Sequence, residues 1–133
     1  MKLLASLFVA LMAASAHAEV TVVDVDALAP LIEQGIPLVD VRNHADQVET
    51  GIVPGARPIG FFDDHGEQQP AAWMASLKPV AGPDDPVILI CRSGAKARMA
   101  ADYLDKHEGY RKVYAVEGGV IGWKALGHPV AQP

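Results

Sequence analysis

The sequence predicts an α/β domain with a mostly parallel central sheet flanked by helices. Segments typical of strands alternate with segments typical of helices along the chain. Val87–Ile90 is a run of aliphatic residues without polar alternation, which is typical of a strand covered on both faces in a parallel sheet. A length of 133 residues and an apolar content of 50% suit a single domain that can bury a core.

The first half of the chain begins with two predicted strands. The β-branched run at 21–25 predicts a strand, and residues 26–34 predict a helix that Gly35 ends. Residues 37–41 predict a compact apolar strand that contains one acid, Asp40. The stretch 42–58 is then expected to be loop-like, with a short polar helix at 45–49.

The second half repeats the alternation. A predicted helix at 71–77 is followed by a connector at 78–86, which is rich in Pro, Gly and Asp, and then by the strand Val87–Ile90. Residues 96–107 carry apolar residues at helical spacing before Gly109. The last predicted elements are a strand, a Gly-Gly turn and a short helix, at 112–116, 118–119 and 120–126.

Residues 1–18 have the layout of a secretory signal peptide. Lys2 is followed by an apolar run over 3–14 and by an A-x-A cleavage pattern at 16–18. The apolar run is too short for a membrane anchor, because about 20 apolar residues are needed to span a bilayer. The sequence therefore predicts an exported, periplasmic protein that begins at Glu19, with no stable membrane insertion after cleavage.

The remaining residues, 19–133, are expected to form the single domain. The formal net charge of the whole chain is −5 and no basic cluster is present, so nucleic acid is not an expected partner. Cys91 is the only cysteine, and an unpaired cysteine in an exported protein indicates a reactive thiol or an intermolecular link. The alternative is a small buried apolar residue, and the local sequence has to decide between them.

The position of Cys91 favours the reactive thiol. It follows a predicted buried strand, and a short turn separates it from a predicted helix. Ligands of open α/β sheets bind at the carboxyl ends of strands, and backbone N–H groups at a helix start favour anions. Arg92 and Lys96 add two cations to this turn. The arrangement favours the thiolate and an anionic substrate beside it.

Three stretches resemble the rhodanese-domain sulfurtransferases. The run Cys91-Arg92-Ser93-Gly94-Ala95-Lys96 is similar to the active-site loop C-R-S-G-x-R-S of that family. Residues 38–42, leading to 51–56, resemble its D-V-R … G-H-I-P-G-A pattern, and residues 116–130 resemble its closing G-G-x-x-x-W … G-x-P-V segment. The stretches occur in the order of the family and extend from Leu38 to Val130.

The resemblance implies a rhodanese-like fold and sulfur-transfer chemistry without a cofactor. The cysteine of the family takes the outer sulfur of a small anionic donor such as thiosulfate, becomes a persulfide, and passes that sulfur to a thiophilic acceptor such as cyanide or a thiol. Cys91 is then the sulfur carrier. The implied substrate-binding residues, which act mainly through their backbones, are Arg92, Ser93, Gly94, Ala95 and Lys96.

The chain departs from the family pattern at three positions. Lys96 replaces the frequent arginine and provides a point charge without a planar fork. Ala97 stands where Ser or Thr is common, and Ile52 replaces the usual His of the G-H-I-P-G-A stretch. These departures concern the donor preference and the rate more than the type of reaction.

Other polar and aromatic residues are interpreted structurally. Asp40 and Arg42 are expected to form an ion pair that braces the site, rather than to act in catalysis. The tryptophans are expected to pack in the core, and no metal site is expected from the scattered histidines and the single cysteine. These residues are Trp73 and Trp123, and His44, His65, His107 and His128.

Two other functions compete with the enzyme. Protein phosphatases that share this fold use a C-x5-R loop, but Ala97 occupies the arginine position here and Arg98 comes one residue late. A persulfide carrier that exchanges sulfur with protein partners, or a rhodanese-like binding module with little turnover on small donors, remains open. Many modules of the binding kind lack the cysteine, whereas this chain retains Cys91.

Overall fold

The computed structural model describes Ala10 and residues 19–133. The rest of the predicted signal peptide lies outside the described residues. The strands are β1 (Glu19–Val23), β2 (Leu38–Asp40), β3 (Arg57–Pro58), β4 (Val87–Ile90) and β5 (Lys112–Val116). The helices are α1 (Leu28–Glu33), α2 (His44–Thr50), α3 (Pro70–Leu77), α4 (Ala95–His107) and α5 (Gly119–Ala125), with a 3-10 turn at Val25–Ala27.

The strands form one parallel sheet in the order β1-β5-β4-β2-β3, which confirms the predicted α/β class. β4 lies at the centre, where Leu89 pairs with Val39 of β2 and Ala115 of β5. All of its side chains are buried, and alternate residues pack on opposite faces of the sheet. Val87 and Leu89 join one apolar cluster, and Ile88 and Ile90 join the other.

Side-chain caps explain where the helices depart from the prediction. The helix predicted at 26–34 is a 3-10 turn followed by the shorter α1, and Asp24 caps the turn by accepting from the amide of Ala27 at 3.0 Å. α2 lies in the stretch 42–58, which is predicted to be loop-like with a short helix at 45–49, and it exceeds that helix by one residue at each end. Its start is fixed because Asn43 Oδ1 accepts from the amide of Asp46 at 2.9 Å.

Two strand predictions also need correction. The first strand was placed at 21–25, but β1 begins at Glu19 and ends at Val23, because Val25 already belongs to the 3-10 turn. β3 was not predicted, since it consists of two exposed residues, one of them a proline, at the edge of the sheet. Across the described part of the chain, no helix is long and apolar enough to cross a membrane.

Candidate active site

Cys91 lies where β4 ends, and three residues separate it from the start of α4. Its side chain is buried, with 2% of the residue exposed. Two backbone amides donate to Sγ, from Gly94 at 3.1 Å and from Ala97 at 3.3 Å. The second amide belongs to the first turn of α4, so the sulfur lies at the positive end of a helix of 13 residues. This environment stabilises negative charge on Sγ.

The carbonyl groups of the same loop are bound on its other side, at the start of α5. The amide of Val120 donates to Cys91 O at 2.9 Å, and the amide of Ile121 donates to Arg92 O at 3.1 Å. Gly118 N–H donates to the carbonyl of Ser93 at 3.1 Å. These three bonds hold the loop against the start of α5.

Gly119 permits this close approach between the loop and α5. A Cβ atom added there would lie 2.4 Å from the carbonyl oxygens of both Cys91 and Arg92. Gly119 also has φ of +57°, a backbone conformation that residues with a side chain rarely adopt. Gly94 has φ of +129°, which brings its amide to Sγ. The two glycines therefore determine the shape of the loop.

A pocket of about 220 Å³ opens beside the sulfur. Lys96 is half-buried at this pocket, and its Nζ lies 5.0 Å from the centre of the Phe62 ring, within the range of a cation–π contact. Arg92 and Ser93 are exposed at the mouth. The lining residues are Arg42, Asp46, Cys91, Arg92, Ser93, Ala95 and Lys96.

The Asp40 and Arg42 side chains form the expected ion pair and are almost completely buried. Arg42 Nη2 lies 2.7 Å from Asp40 Oδ2, and Nε lies 3.0 Å from Oδ1. The remaining guanidinium hydrogens go to α2 and to the residue after it, at Asp46 O, Thr50 Oγ1 and Gly51 O. The guanidinium donors of Arg42 are thus used by contacts within the protein, and the ion pair holds α2 against the end of β2.

A protein-family model described as "Rhodanese-like domain" matches residues 24–126. The chain belongs to the rhodanese-like domain family. A curated sulfurtransferase from Allochromatium vinosum is 30% identical over 100 residues, which cover 75% of this chain and 82% of the relative. A thiosulfate sulfurtransferase, GlpE, from Pseudomonas savastanoi pv. phaseolicola is 33% identical over 95 residues, covering 71% of this chain and 78% of the relative.

The solved structures agree on the fold. The polysulfide-sulfur transferase homodimer from Wolinella succinogenes superposes with a TM-score of 0.66 at 21% identity, covering 89% of this chain and 82% of that one. At this identity the likeness supports the architecture alone. Together with the curated relatives, it identifies a rhodanese-like domain related to sulfurtransferases.

Within this rhodanese-like domain, the residues that depart from the family pattern have clear structural positions. Ala97 points its methyl group into the core, while its amide reaches Sγ. Ile52 is also buried, and its backbone pairs with that of Ala131 through bonds of 2.8 and 2.9 Å. Arg98 is exposed and lines a separate pocket with Glu117, so the residue next to the phosphatase arginine position does not line the pocket of Cys91.

Two features of the site were not predicted from the sequence. One is the support of the loop by Gly118, Gly119 and the start of α5, which was interpreted only as a turn. The other is Asp46, a carboxylate in the pocket of Cys91. The sequence contained a signal for its position, because Asn43 and Asp46 have the spacing of a helix cap and its first turn.

Proposed function

We propose that this protein is a sulfurtransferase that moves sulfane sulfur from a donor such as thiosulfate to a thiophilic acceptor, through a persulfide on Cys91. The observation that carries the proposal is the pair of amide contacts to Sγ at the start of α4, beside a small pocket that contains Lys96 and Arg92. The two N–H groups and the N-terminus of α4 favour negative charge on the sulfur. The names of the curated relatives point to the same chemistry.

The reaction consists of two sulfur transfers. The Cys91 thiolate attacks the outer sulfur of thiosulfate, a bond forms between the two sulfurs, and the donor S–S bond breaks with its electron pair leaving on sulfite. The transferred sulfur then carries the negative charge of the Cys91 persulfide. Cyanide attacks that sulfur and leaves as thiocyanate, and the Cys91 thiolate is restored. Atoms and charges balance without an added oxidant or reductant.

The loop supplies three kinds of support for these steps. The amides of Gly94 and Ala97 hold the sulfur of Cys91. Lys96 and Arg92 place positive charge where the sulfonate of thiosulfate would lie. Ser93 and Ala95 line the mouth of the pocket. Asp40 and Arg42 support the site by fixing α2 beside the pocket, which Arg42 also lines.

Thiocyanate formation from thiosulfate and cyanide tests the proposal. Repeated turnover by the purified residues 19–133 would indicate an enzyme for small donors. Full loading of Cys91 followed by very slow turnover would instead indicate a persulfide carrier whose acceptor is a protein. No loading from thiosulfate or from any persulfide would contradict sulfur transfer.

Replacing Lys96 by alanine is expected to lower kcat/KM for thiosulfate by about tenfold to a hundredfold. A charge-assisted contact contributes about 1.5–3 kcal/mol, and Lys96 is half-buried in the pocket of Cys91, so its charge is only partly screened. The Lys96→Arg variant should retain most of the activity because it keeps the charge. Steady-state kinetics at two salt concentrations measure the effect.

Lys106→Ala is the matched control for this prediction. Lys106 is exposed on the same helix and lines a pocket without Cys91. The Lys106→Ala variant should keep kcat/KM for thiosulfate within about twofold of the value of the unmodified protein. If Lys96→Ala behaves like this control at both salt concentrations, Lys96 is a surface residue, and the loop amides with Arg92 bind the anion.

We also propose that the protein is exported to the periplasm and processed before Glu19. The basis is the sequence of residues 1–18, with its positive start, short apolar run and A-x-A pattern. Mass analysis of the protein recovered from the periplasmic fraction should give an N-terminus at Glu19. Recovery of the chain with an intact Met1 would contradict export by cleavage.

A further inference from the structure

The pocket of Cys91 contains one carboxylate among its cations. Asp46 is half-buried in the first turn of α2 and lines this pocket together with Lys96, which lies at the start of α4. Its backbone is fixed at both ends of the residue: the amide donates to Asn43 Oδ1 at 2.9 Å, and the carbonyl accepts from Arg42 Nη1 at 3.2 Å. The position of Asp46 at the pocket is therefore set by α2 and not by a mobile loop.

In the described part of the chain, the Asp46 carboxylate makes no hydrogen bond or ion pair, and its charge lies in the first turn of α2. Within residues 19–133, the ion pairs are Asp40 with Arg42 and Asp84 with Arg111. The hydrogen bonds that Asp46 makes in the same range come from its backbone. Asn43 already provides the side-chain cap of α2. A half-buried acid that lines the pocket of Cys91, with no bonded side-chain partner among the described residues, can interact with whatever enters the pocket.

The size of the pocket limits how far a substrate can avoid this charge. Both Lys96 and Asp46 line this volume of about 220 Å³, so a group bound next to the transferred sulfur is exposed to the charge of each. The dianionic thiosulfate gains from Lys96 but is repelled by Asp46. A sulfur compound with an ammonium group close to its sulfur gains from Asp46 instead. Coulomb energies between charges within one small pocket change affinities severalfold at low salt.

We propose that Asp46 is a specificity-determining residue, which favours persulfides of aminothiols over the dianion thiosulfate as sulfur donors. The inference rests on the proposed sulfur transfer through Cys91 and adds the chemical class of the donor. Asp46 acts through its charge on the non-reacting end of the donor and takes no part in bond making.

The loading step for such a donor is balanced. The Cys91 thiolate attacks the terminal sulfur of the hydropersulfide R–S–SH, and the new S–S bond forms as the donor S–S bond breaks. The electron pair of the broken bond leaves on the thiolate R–S⁻, and the proton stays on the transferred sulfur. In an aminothiol the group R carries the ammonium that Asp46 attracts.

The experiment measures the second-order rate of Cys91 loading for three donors, by rapid quenching and intact-mass spectrometry. The donors are thiosulfate, the persulfide of cysteamine, and the persulfide of 2-mercaptoethanol, which has a hydroxyl in place of the ammonium. Asp46→Asn removes the charge with little change in shape. Glu49→Gln is the control, since Glu49 is an exposed acid on the same helix and lies outside the lining of this pocket.

We expect the unmodified protein to load about fivefold faster from cysteamine persulfide than from mercaptoethanol persulfide at low salt. In Asp46→Asn this ratio should fall about fivefold, because the attraction is lost, and loading from thiosulfate should rise about fivefold, because the repulsion is gone. Glu49→Gln should change each value by less than about twofold. Asp46→Ser provides a second uncharged variant if the first does not fold.

Two results would overturn the inference and separate it from the proposed function. If every donor loads Cys91 but the ratio is the same in Asp46→Asn and in the unmodified protein, Asp46 does not select the donor, and sulfur transfer stands. Equal shifts in Asp46→Asn and Glu49→Gln would also overturn it, because they would reflect net charge alone. If no donor loads Cys91 in the unmodified protein, the proposed function fails as well.

Discussion

Replacing Cys91 by serine is expected to reduce the rate of thiocyanate formation by at least about a thousandfold while the protein stays folded. The serine hydroxyl is protonated at neutral pH and is a far poorer nucleophile than a thiolate. It also cannot hold a sulfane sulfur as a persulfide. The exchange is small in volume, and the amides of Gly94 and Ala97 that donate to Sγ can donate to the oxygen instead.

Thermal unfolding and steady-state kinetics together test this prediction. A second variant, Cys91→Ala, has no hydroxyl at this position and should be equally inactive. Its inactivity would show that the loss of the thiol matters, and not the placement of the serine oxygen. Activity of Cys91→Ser within tenfold of the unmodified protein, at a similar melting temperature, would refute the assignment of Cys91 as the sulfur carrier.

Replacing Gly119 by alanine is expected to destabilise the protein by more than about 4 kcal/mol and to remove activity in whatever fraction remains folded. The added methyl would lie 2.4 Å from two carbonyl oxygens of the cysteine loop, at Cys91 and Arg92. This steric clash is not easily relieved, because the amides of Val120 and Ile121 bind the same two carbonyl oxygens and hold them in place. The loop would have to move, and its amides would leave the sulfur.

Gly127→Ala is the matched control for this steric argument. Gly127 has φ of +81°, but a Cβ there meets nothing within 4 Å among the described residues. The Gly127→Ala variant should lower the free energy of unfolding by only about 1–2 kcal/mol, which is the cost of placing an alanine in the left-handed conformation. Chemical denaturation of both variants gives the two values. Equal losses for Gly119→Ala and Gly127→Ala would show that the contact with the loop carbonyls does not matter.

The elements around Cys91 were predictable because their signals are local. β4 has the predicted limits, since four consecutive aliphatic residues between Pro86 and Cys91 are typical of a strand that is covered on both faces of a parallel sheet. β5 also has the predicted limits, and α4 differs by one residue at its start. The loop between β4 and α4 then follows from these elements, because a tight turn at that edge places backbone amides around the residue that ends the strand.

The rest of the site depends on contacts between distant parts of the chain. Nothing near Gly119 in the sequence indicates that its α-carbon faces the carbonyl of Cys91, because that contact exists only after β5 has paired with β4. Asp46 reaches the pocket only because Arg42, paired with Asp40, fastens α2 beside it. Local patterns predicted the position of Cys91 at the end of a buried strand, whereas tertiary packing determines which other groups face it.

The central claim is that Cys91 carries sulfur. Intact-mass spectrometry of the purified residues 19–133, after incubation with thiosulfate and removal of the excess donor, tests it most directly. We expect the protein to gain the mass of one sulfur atom, to lose it again on addition of cyanide, and to gain none when Cys91 is serine. An unchanged mass in the unmodified protein after exposure to thiosulfate and to both persulfide donors would contradict the account.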